Sequence, residues 1–230
     1  MTDFSVVLPA YNEAENFPSL VRDIKTNLDS LRICYEIILV DNGSTDNTAE
    51  AVNALKAEVP QLKTVRIWPN IGFGNGILQG LAVAQGEILG FIDADGQIEA
   101  KYLKDAYLKL KKEGLDLCKG KRISRKDGWL RLFASQIYNF LFKLMFGGNF
   151  SDIGAKPKVF TRQLYQDIKP ISKDWFLDTE MMIKIIKKKY KVGEFPINFP
   201  ARKRGKSKVR LSTLAEFLKN MIYWRFFAKF

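Results

Sequence analysis

Four short apolar runs, each handing over to a polar stretch of helical length, set what this chain can fold into. Phe4–Leu8, Tyr35–Val40, Thr64–Trp68 and Glu87–Ile92 read as buried strands. Between them lie three helix-length segments, from about Asn12 to Leu31, from Asp46 to about Ala57, and Gly72–Gln85. Asn12, with Glu15 three residues on, has the form of a capping box opening the first helix. Strand and helix alternating at this spacing predict a mostly parallel, doubly wound α/β sheet flanked by helices.

The second half is less regular. Lys101–Lys112 reads as a helix, Leu115–Lys119 as a strand, and Trp129–Phe146 as a strongly apolar helical segment. A helix begins near Thr161, Asp178-Thr179-Glu180 opens another over Met181–Lys188, and Val192–Asn198 returns as a strand. The basic run Arg202–Lys208 then leads into an apolar-basic helix, Leu214–Phe230. No linker interrupts the chain. The expectation is a catalytic domain over 1–210 and an amphipathic helix over 211–230 that associates with a membrane or another copy.

Open α/β sheets bind ligands at the carboxyl ends of their strands. That rule gathers Asn12, Glu13, Asp41, Asn70 to Gly76, Asp93 and Asp95 at one edge. The sharpest stretch is Gly90-Phe91-Ile92-Asp93-Ala94-Asp95-Gly96-Gln97. Two aspartates spaced i, i+2 project from the same side of an extended strand end. They suit Mg²⁺ or a similar hard cation, which takes oxygen ligands and shares them with substrate phosphates. Taken alone, such a pair also serves to cap the next helix or to lie solvated in a loop. Four strand ends converging on one edge favour the site.

Composition narrows the partners. The chain has 230 residues, no histidine and a net charge of +12. Histidine zinc sites and Ser-His-Asp or Cys-His triads are therefore excluded. The charge points to an anionic partner: phosphorylated substrates, an acidic membrane surface or nucleic acid. Nucleic acid is disfavoured, because the aromatics sit in apolar helices without a recognisable binding motif. Cys34 and Cys118 lack metal or redox spacing and read as reduced core thiols, consistent with a cytosolic setting. No signal pattern opens the chain and no run of about 18 apolar residues predicts a membrane span.

The motifs Val7-Leu8-Pro9-Ala10-Tyr11-Asn12-Glu13, Val40 to Asp46, Asn70-Ile71-Gly72-Phe73-Gly74, Asp93-Ala94-Asp95, Gly120-Lys121-Arg122 and Arg202–Lys208 occur in one order. Together they resemble the family 2 inverting glycosyltransferases of the GT-A fold, in the branch of dolichol- and polyprenol-phosphate mannosyl- and glucosyltransferases. The resemblance implies a metal-dependent transfer from a GDP- or UDP-sugar to a polyprenyl phosphate at the cytoplasmic membrane face, using Mg²⁺ or Mn²⁺. It implies that Pro9, Tyr11, Glu13 and Asp41, with Asp93, hold the nucleotide. Asp93 and Asp95 would surround the metal and diphosphate, with Gln97 nearby. Arg122, Arg131, Ser135, Arg202 and Lys206 would face the acceptor phosphate or the donor diphosphate. Asp178 and Glu180 match an acidic pair that ends the family's catalytic region. The chain departs from the family pattern at Asn42, at Gly96 and over Ile153-Gly154-Ala155-Lys156-Pro157.

Two acceptor chemistries stay open. A hydroxyl, on a saccharide or protein, needs a general base, for which Asp178 is the candidate. A lipid monophosphate, with a second pKa of about 6, needs only cations to position it. The basic second half fits the latter. Arg202→Ala and Lys206→Ala should each raise the acceptor KM or lower kcat; steady-state kinetics unchanged in both would remove these residues from the site.

Overall fold

Each apolar run of the first hundred residues becomes a strand, the third lying two residues earlier than expected, at Leu62–Arg66. The computed structural model describes residues 1–125, 129–148, 150–200 and 211–228. The strands are β1 (Phe4–Ala10), β2 (Tyr35–Asp41), β3 (Leu62–Arg66), β4 (Ile88–Phe91), β5 (Leu117–Arg125), β6 (Lys158–Thr161) and β7 (Val192–Phe199). The helices are α1 (Phe17–Asp29), α2 (Thr48–Glu58), α3 (Phe73–Val83), α4 (Lys101–Glu113), α5 (Trp129–Phe146), α6 (Arg162–Ile168), α7 (Leu177–Lys187) and α8 (Leu211–Phe226).

The strands form one sheet in the order β3-β2-β1-β4-β6-β5-β7. β1 to β4 are mutually parallel, β7 runs parallel to β5, and β6 opposes both its neighbours. The sheet is thus mixed but mostly parallel, as expected. Alternate strand residues feed two cores. Val6, Leu8, Ile37 and Leu39 meet α1, α2 and α4 on one face. Val7, Ile38, Val40 and Phe91 meet α3, α6 and α7 on the other, where Phe142 of α5 and Met221 and Trp224 of α8 also insert. The C-terminal helix is docked on the core as well as amphipathic.

Three expectations change. The first helix starts at Phe17, behind Asn16 as its cap and with Pro18 in its first turn. Asn12 and Glu15 form no capping box: Asn12 adopts a left-handed φ of 52° and serves the neighbouring loop instead. β6 was not expected at all, since its four residues open on a lysine and carry no alternation. Cys118 is buried but Cys34 is exposed, so only one cysteine is a core thiol. Among the described residues no helix is long and apolar enough to cross a membrane.

Close approach fixes α3 on the sheet. A Cβ at Gly80 would lie 2.4 Å from Val7 Cγ1 and 2.9 Å from Val40 Cγ2, both in buried side chains. Gly80→Ala should therefore cost about 1–3 kcal/mol, the usual overpacking penalty. Chemical denaturation checks this, and undiminished stability would contradict the packing.

Candidate active site

The carboxyl ends of β1, β2 and β4 lie side by side. Ala10 pairs with Asp41, and Asn42 N–H donates to the Ala10 carbonyl at 2.8 Å. On the other side of β1, Ile92 N–H donates to the Val7 carbonyl at 3.2 Å. Strands β2 and β3 follow one another to one side of β1, and β4 takes the other. Sheets of this kind hold their ligand crevice at such a reversal, here above the carboxyl ends of β1 and β4.

The loops that carry the residues expected to hold the nucleotide are braced against each other. Asn12 N–H donates to Ser44 Oγ at 3.0 Å, and Asn12 Oδ1 accepts from Thr45 N–H at 2.8 Å. These bonds tie the loop after β1 to the loop after β2. Asp41, buried, accepts from Ser44 N–H at 2.8 Å, with Arg66 Nε 3.7 Å from its other oxygen. Pro9 is buried within β1, Tyr11 is half-buried beyond it, and buried Glu13 accepts from Asn16 Nδ2 at 2.7 Å. Asn42 Nδ2 donates to the Gly72 carbonyl at 2.9 Å, drawing in the loop after β3. Gly72 has φ +125°, and a Cβ there would stand 2.3 Å from the Lys173 carbonyl. Only glycine fits that contact.

Asp93 and Asp95 follow β4 into the crevice. Asp93 is half-buried, and its Oδ1 is enclosed without a hydrogen-bond partner among the described residues. Burial pushes its carboxyl up to about 6; Lys156 pulls it down, Asp95 and Asp178 push it up, and Lys158 pulls it down. An enclosed, unsatisfied carboxylate oxygen is costly unless something binds it. Asp95 accepts from Gln97 N–H at 3.0 Å, and Gln97 Nε2 donates to the Pro200 carbonyl at 3.0 Å, tying this loop to the end of β7. Among the described residues no cluster of three or more Asp, Glu, Cys or His could hold a metal. The two aspartates therefore fit a divalent cation whose shell is completed by water and substrate oxygens, which is how Mg²⁺ is commonly held.

Two functional candidates were invisible in the sequence. β6 runs against β4, with Lys158 opposite Phe91, so its first residues arrive at the carboxyl edge. Lys156 Nζ meets Asp178 Oδ2 at 2.6 Å, and Lys158 Nζ meets Asp178 Oδ1 at 2.5 Å. Lys158 also donates to the Ile153 and Ala155 carbonyls at 3.0 and 3.1 Å. Burial would raise the Asp178 carboxyl, but the two lysines hold it below the usual carboxylate range. Burial pushes the Lys158 amine down to about 8 against the pull of Asp178, with Lys156 and Lys119 adding to the fall. Burial would also lower Lys156, yet Asp178 and Asp93 keep it above its ordinary value. The signal that could have located these lysines was the departure from the family pattern, with Lys156 inside it and Lys158 just after it.

This geometry corrects the expectation for Asp178. Both its oxygens are occupied by cations and its proton affinity is depressed, the reverse of what a general base requires. Arg122, expected on the acceptor phosphate, makes two 2.6 Å hydrogen bonds to Asp152, and its guanidinium stacks 5.2 Å over Phe199. Ser135 lies on α5 and accepts from Asn139 Nδ2 at 3.4 Å. Arg131 is on the same helix, with its side chain outside those described. Arg202 and Lys206 lie outside the described residues.

A doubly wound sheet with a mixed second half, braced loops over β1 and β2 and paired aspartates after β4 is a GT-A-type nucleotide-sugar transferase architecture. Residues 5–169 match the model of glycosyl transferase family 2, and the chain belongs to that family. Solved structures of glucosyl-3-phosphoglycerate synthase from Mycobacterium tuberculosis share the fold. The complex with phosphoglyceric acid superposes with a TM-score of 0.78 at 20% identity, over 97% of this chain and 80% of that one. The complex with Mn²⁺, uridine diphosphate and phosphoglyceric acid gives 0.78 and 20%, over 97% and 78%. The complex with Mg²⁺ and uridine diphosphate gives 0.78 and 19%, over 97% and 79%.

The buried cluster yields a test of the Asp178 correction. Asp178→Asn leaves two buried lysines without their shared counter-charge, which should cost about 3–5 kcal/mol. Denaturation measures it. A variant of native stability would return Asp178 to the list of candidate bases.

Proposed function

We propose that this family 2 glycosyltransferase transfers a sugar, with inversion, from a UDP- or GDP-linked donor to a polyprenyl phosphate at the cytoplasmic face of a membrane. The observation that carries the reading is Asp93: a carboxylate oxygen enclosed without a hydrogen-bond partner among the described residues, two residues before Asp95, at the carboxyl edge of the sheet. The M. tuberculosis enzyme, alike in fold, was crystallised with uridine diphosphate and with Mn²⁺ or Mg²⁺, which supports the same pairing here. Asp93 and Asp95 are the residues that would hold the cation; when bound, it supplies Lewis-acid stabilisation of the diphosphate charge.

The chain's own residues do the rest. Asp41, Pro9, Tyr11 and Glu13 seat the nucleoside in a pocket whose loops are already joined through Asn12, which lowers the ordering cost of binding. Lys156, at the edge of the buried cluster and within electrostatic reach of Asp93, offsets the local negative charge. An oxygen of the acceptor phosphate bonds to the anomeric carbon as its bond to the donor β-phosphate breaks, and a nucleoside diphosphate leaves. Because the acceptor is already ionised, no base is needed. The clamped state of Asp178 favours this chemistry over attack by a hydroxyl.

One observation supports a second reading, a hydroxyl-bearing or small soluble phosphorylated acceptor: the fold neighbour was crystallised with phosphoglyceric acid. Nucleoside diphosphate release from a panel of sugar nucleotides separates the two. Release should need Mg²⁺ or Mn²⁺ together with a polyprenyl phosphate, and Asp95→Asn should lower it by about 10²-fold or more. Release only with phosphoglycerate or saccharide acceptors would select the second reading.

A further inference from the structure

Two helices present apolar side chains on the side opposite their own core contacts. On α5, Phe142 is buried, whereas Phe133, Ile137, Phe140 and Leu144 recur at three- and four-residue spacing on the opposite face. Phe140 and Leu144 are 66% and 72% exposed. On α8, Met221 and Trp224 face the core, while Leu218, Ile222 and Phe226 recur every four residues away from it, with Phe226 70% exposed. A surface helix ordinarily turns polar residues outward. Here an exposed ridge of each helix is apolar. The helices are neighbours, with the Tyr138 and Phe217 rings 5.2 Å apart.

The charges on these helices are mostly positive. The two helices carry Arg131, Lys143, Lys219 and Arg225 against a single acidic residue, Glu216. Lys143, Lys219 and Arg225 are exposed. Apolar and aromatic side chains flanked by cations match the boundary between lipid headgroups and acyl chains, where anionic lipid adds electrostatic attraction. A contact between two copies would instead bring these like charges together. The surface also adjoins the site: the Tyr138 hydroxyl hydrogen-bonds the Thr179 hydroxyl beside Asp178, and Asn139 Oδ1 accepts from Ile153 N–H at 3.0 Å.

We infer that the outward ridges of α5 and α8 dock the enzyme on an anionic lipid bilayer, with Phe140, Leu144, Ile222 and Phe226 immersed and Lys143, Lys219 and Arg225 on the headgroups. The inference deepens the polyprenyl phosphate reading, but its readout is vesicle binding and needs no acceptor. The protein is floated with vesicles of phosphatidylcholine alone or containing phosphatidylglycerol. Binding should be at least about tenfold stronger to the anionic vesicles and should weaken with salt. Phe140→Ser with Phe226→Ser should reduce it at least about tenfold. Lys143→Glu with Lys219→Glu, at exposed positions that leave the core alone, should remove the anionic preference. Turnover of a short, water-soluble prenyl phosphate should persist in both double variants.

Vesicle binding unchanged in both variants would overturn the inference. So would a dimer in sedimentation that the phenylalanine variants dissociate, with no vesicle binding by the parent. Vesicle binding that behaves as described, in a protein that uses no prenyl phosphate, would uphold the surface and reject the acceptor reading alone.

Discussion

The arrangement of the site rests on one buried carboxylate, Asp178, shared by two buried lysines. A lysine inside a protein requires a counter-charge, and removing one partner from such a cluster costs more than the pair contributes. Asp178 stands in the first turn of α7, where the helix dipole also favours a negative group. It therefore pins α7 to the start of β6, and β6 to the edge beside Asp93. Two residues on, Glu180 accepts hydrogen bonds from the Ile171 and Ser172 amides at 2.9 and 2.6 Å. The loop so held supplies the Lys173 carbonyl that closes on Gly72. Contacts thus run unbroken from the buried ion cluster to the loops above β2 and β3.

The two sides of the crevice use different physics. On the side of β1 and β2, neutral hydrogen bonds from short polar side chains, Asn12, Asn42 and Ser44, fix the loops. On the side of β6 and α7, ion pairs predominate: Lys119 with Glu194 at 2.7 Å, Arg122 with Asp152, and the lysine pair with Asp178. Directly opposed Lys119 and Lys158 on β5 and β6 would repel, and each is instead satisfied by its own carboxylate and by backbone carbonyls. A cluster of this kind favours one geometry more than it adds net stability.

The first half of the fold was legible because β1, β2 and β4 are nearly continuous apolar runs, whereas β3, Leu-Lys-Thr-Val-Arg, was placed two residues late. Asp41, Asp93 and Asp95 could be placed on one edge by topology alone. The second half was not, and β6 shows why. Four residues opening on a lysine give no periodicity, and an antiparallel insertion reverses which end of a strand meets the ligand edge. Lys156 and Lys158 were accordingly missed, and Asp178 was read as the candidate base for a hydroxyl acceptor. Asn12 misled differently: its sequence context fits a helix cap, but Ser44 and Thr45, some thirty residues away, offered it better partners. Local signals lose to contacts that only the assembled sheet provides.

The order of the crevice along the chain has a consequence for how the protein is made and how it diversifies. The braced loops and the aspartate pair all come from the first hundred residues, whereas the ion cluster and both apolar ridges come from later ones. The parallel half of the sheet is therefore synthesised before the residues that finish the opposite wall. Strand β6 is the joint between the two, paired to the early half through β4 and to the late half through β5. Sequence change beyond that joint alters what meets the crevice from the far side while leaving the strand register of the early half in place. In a lineage of such chains, the two walls are free to evolve at different rates.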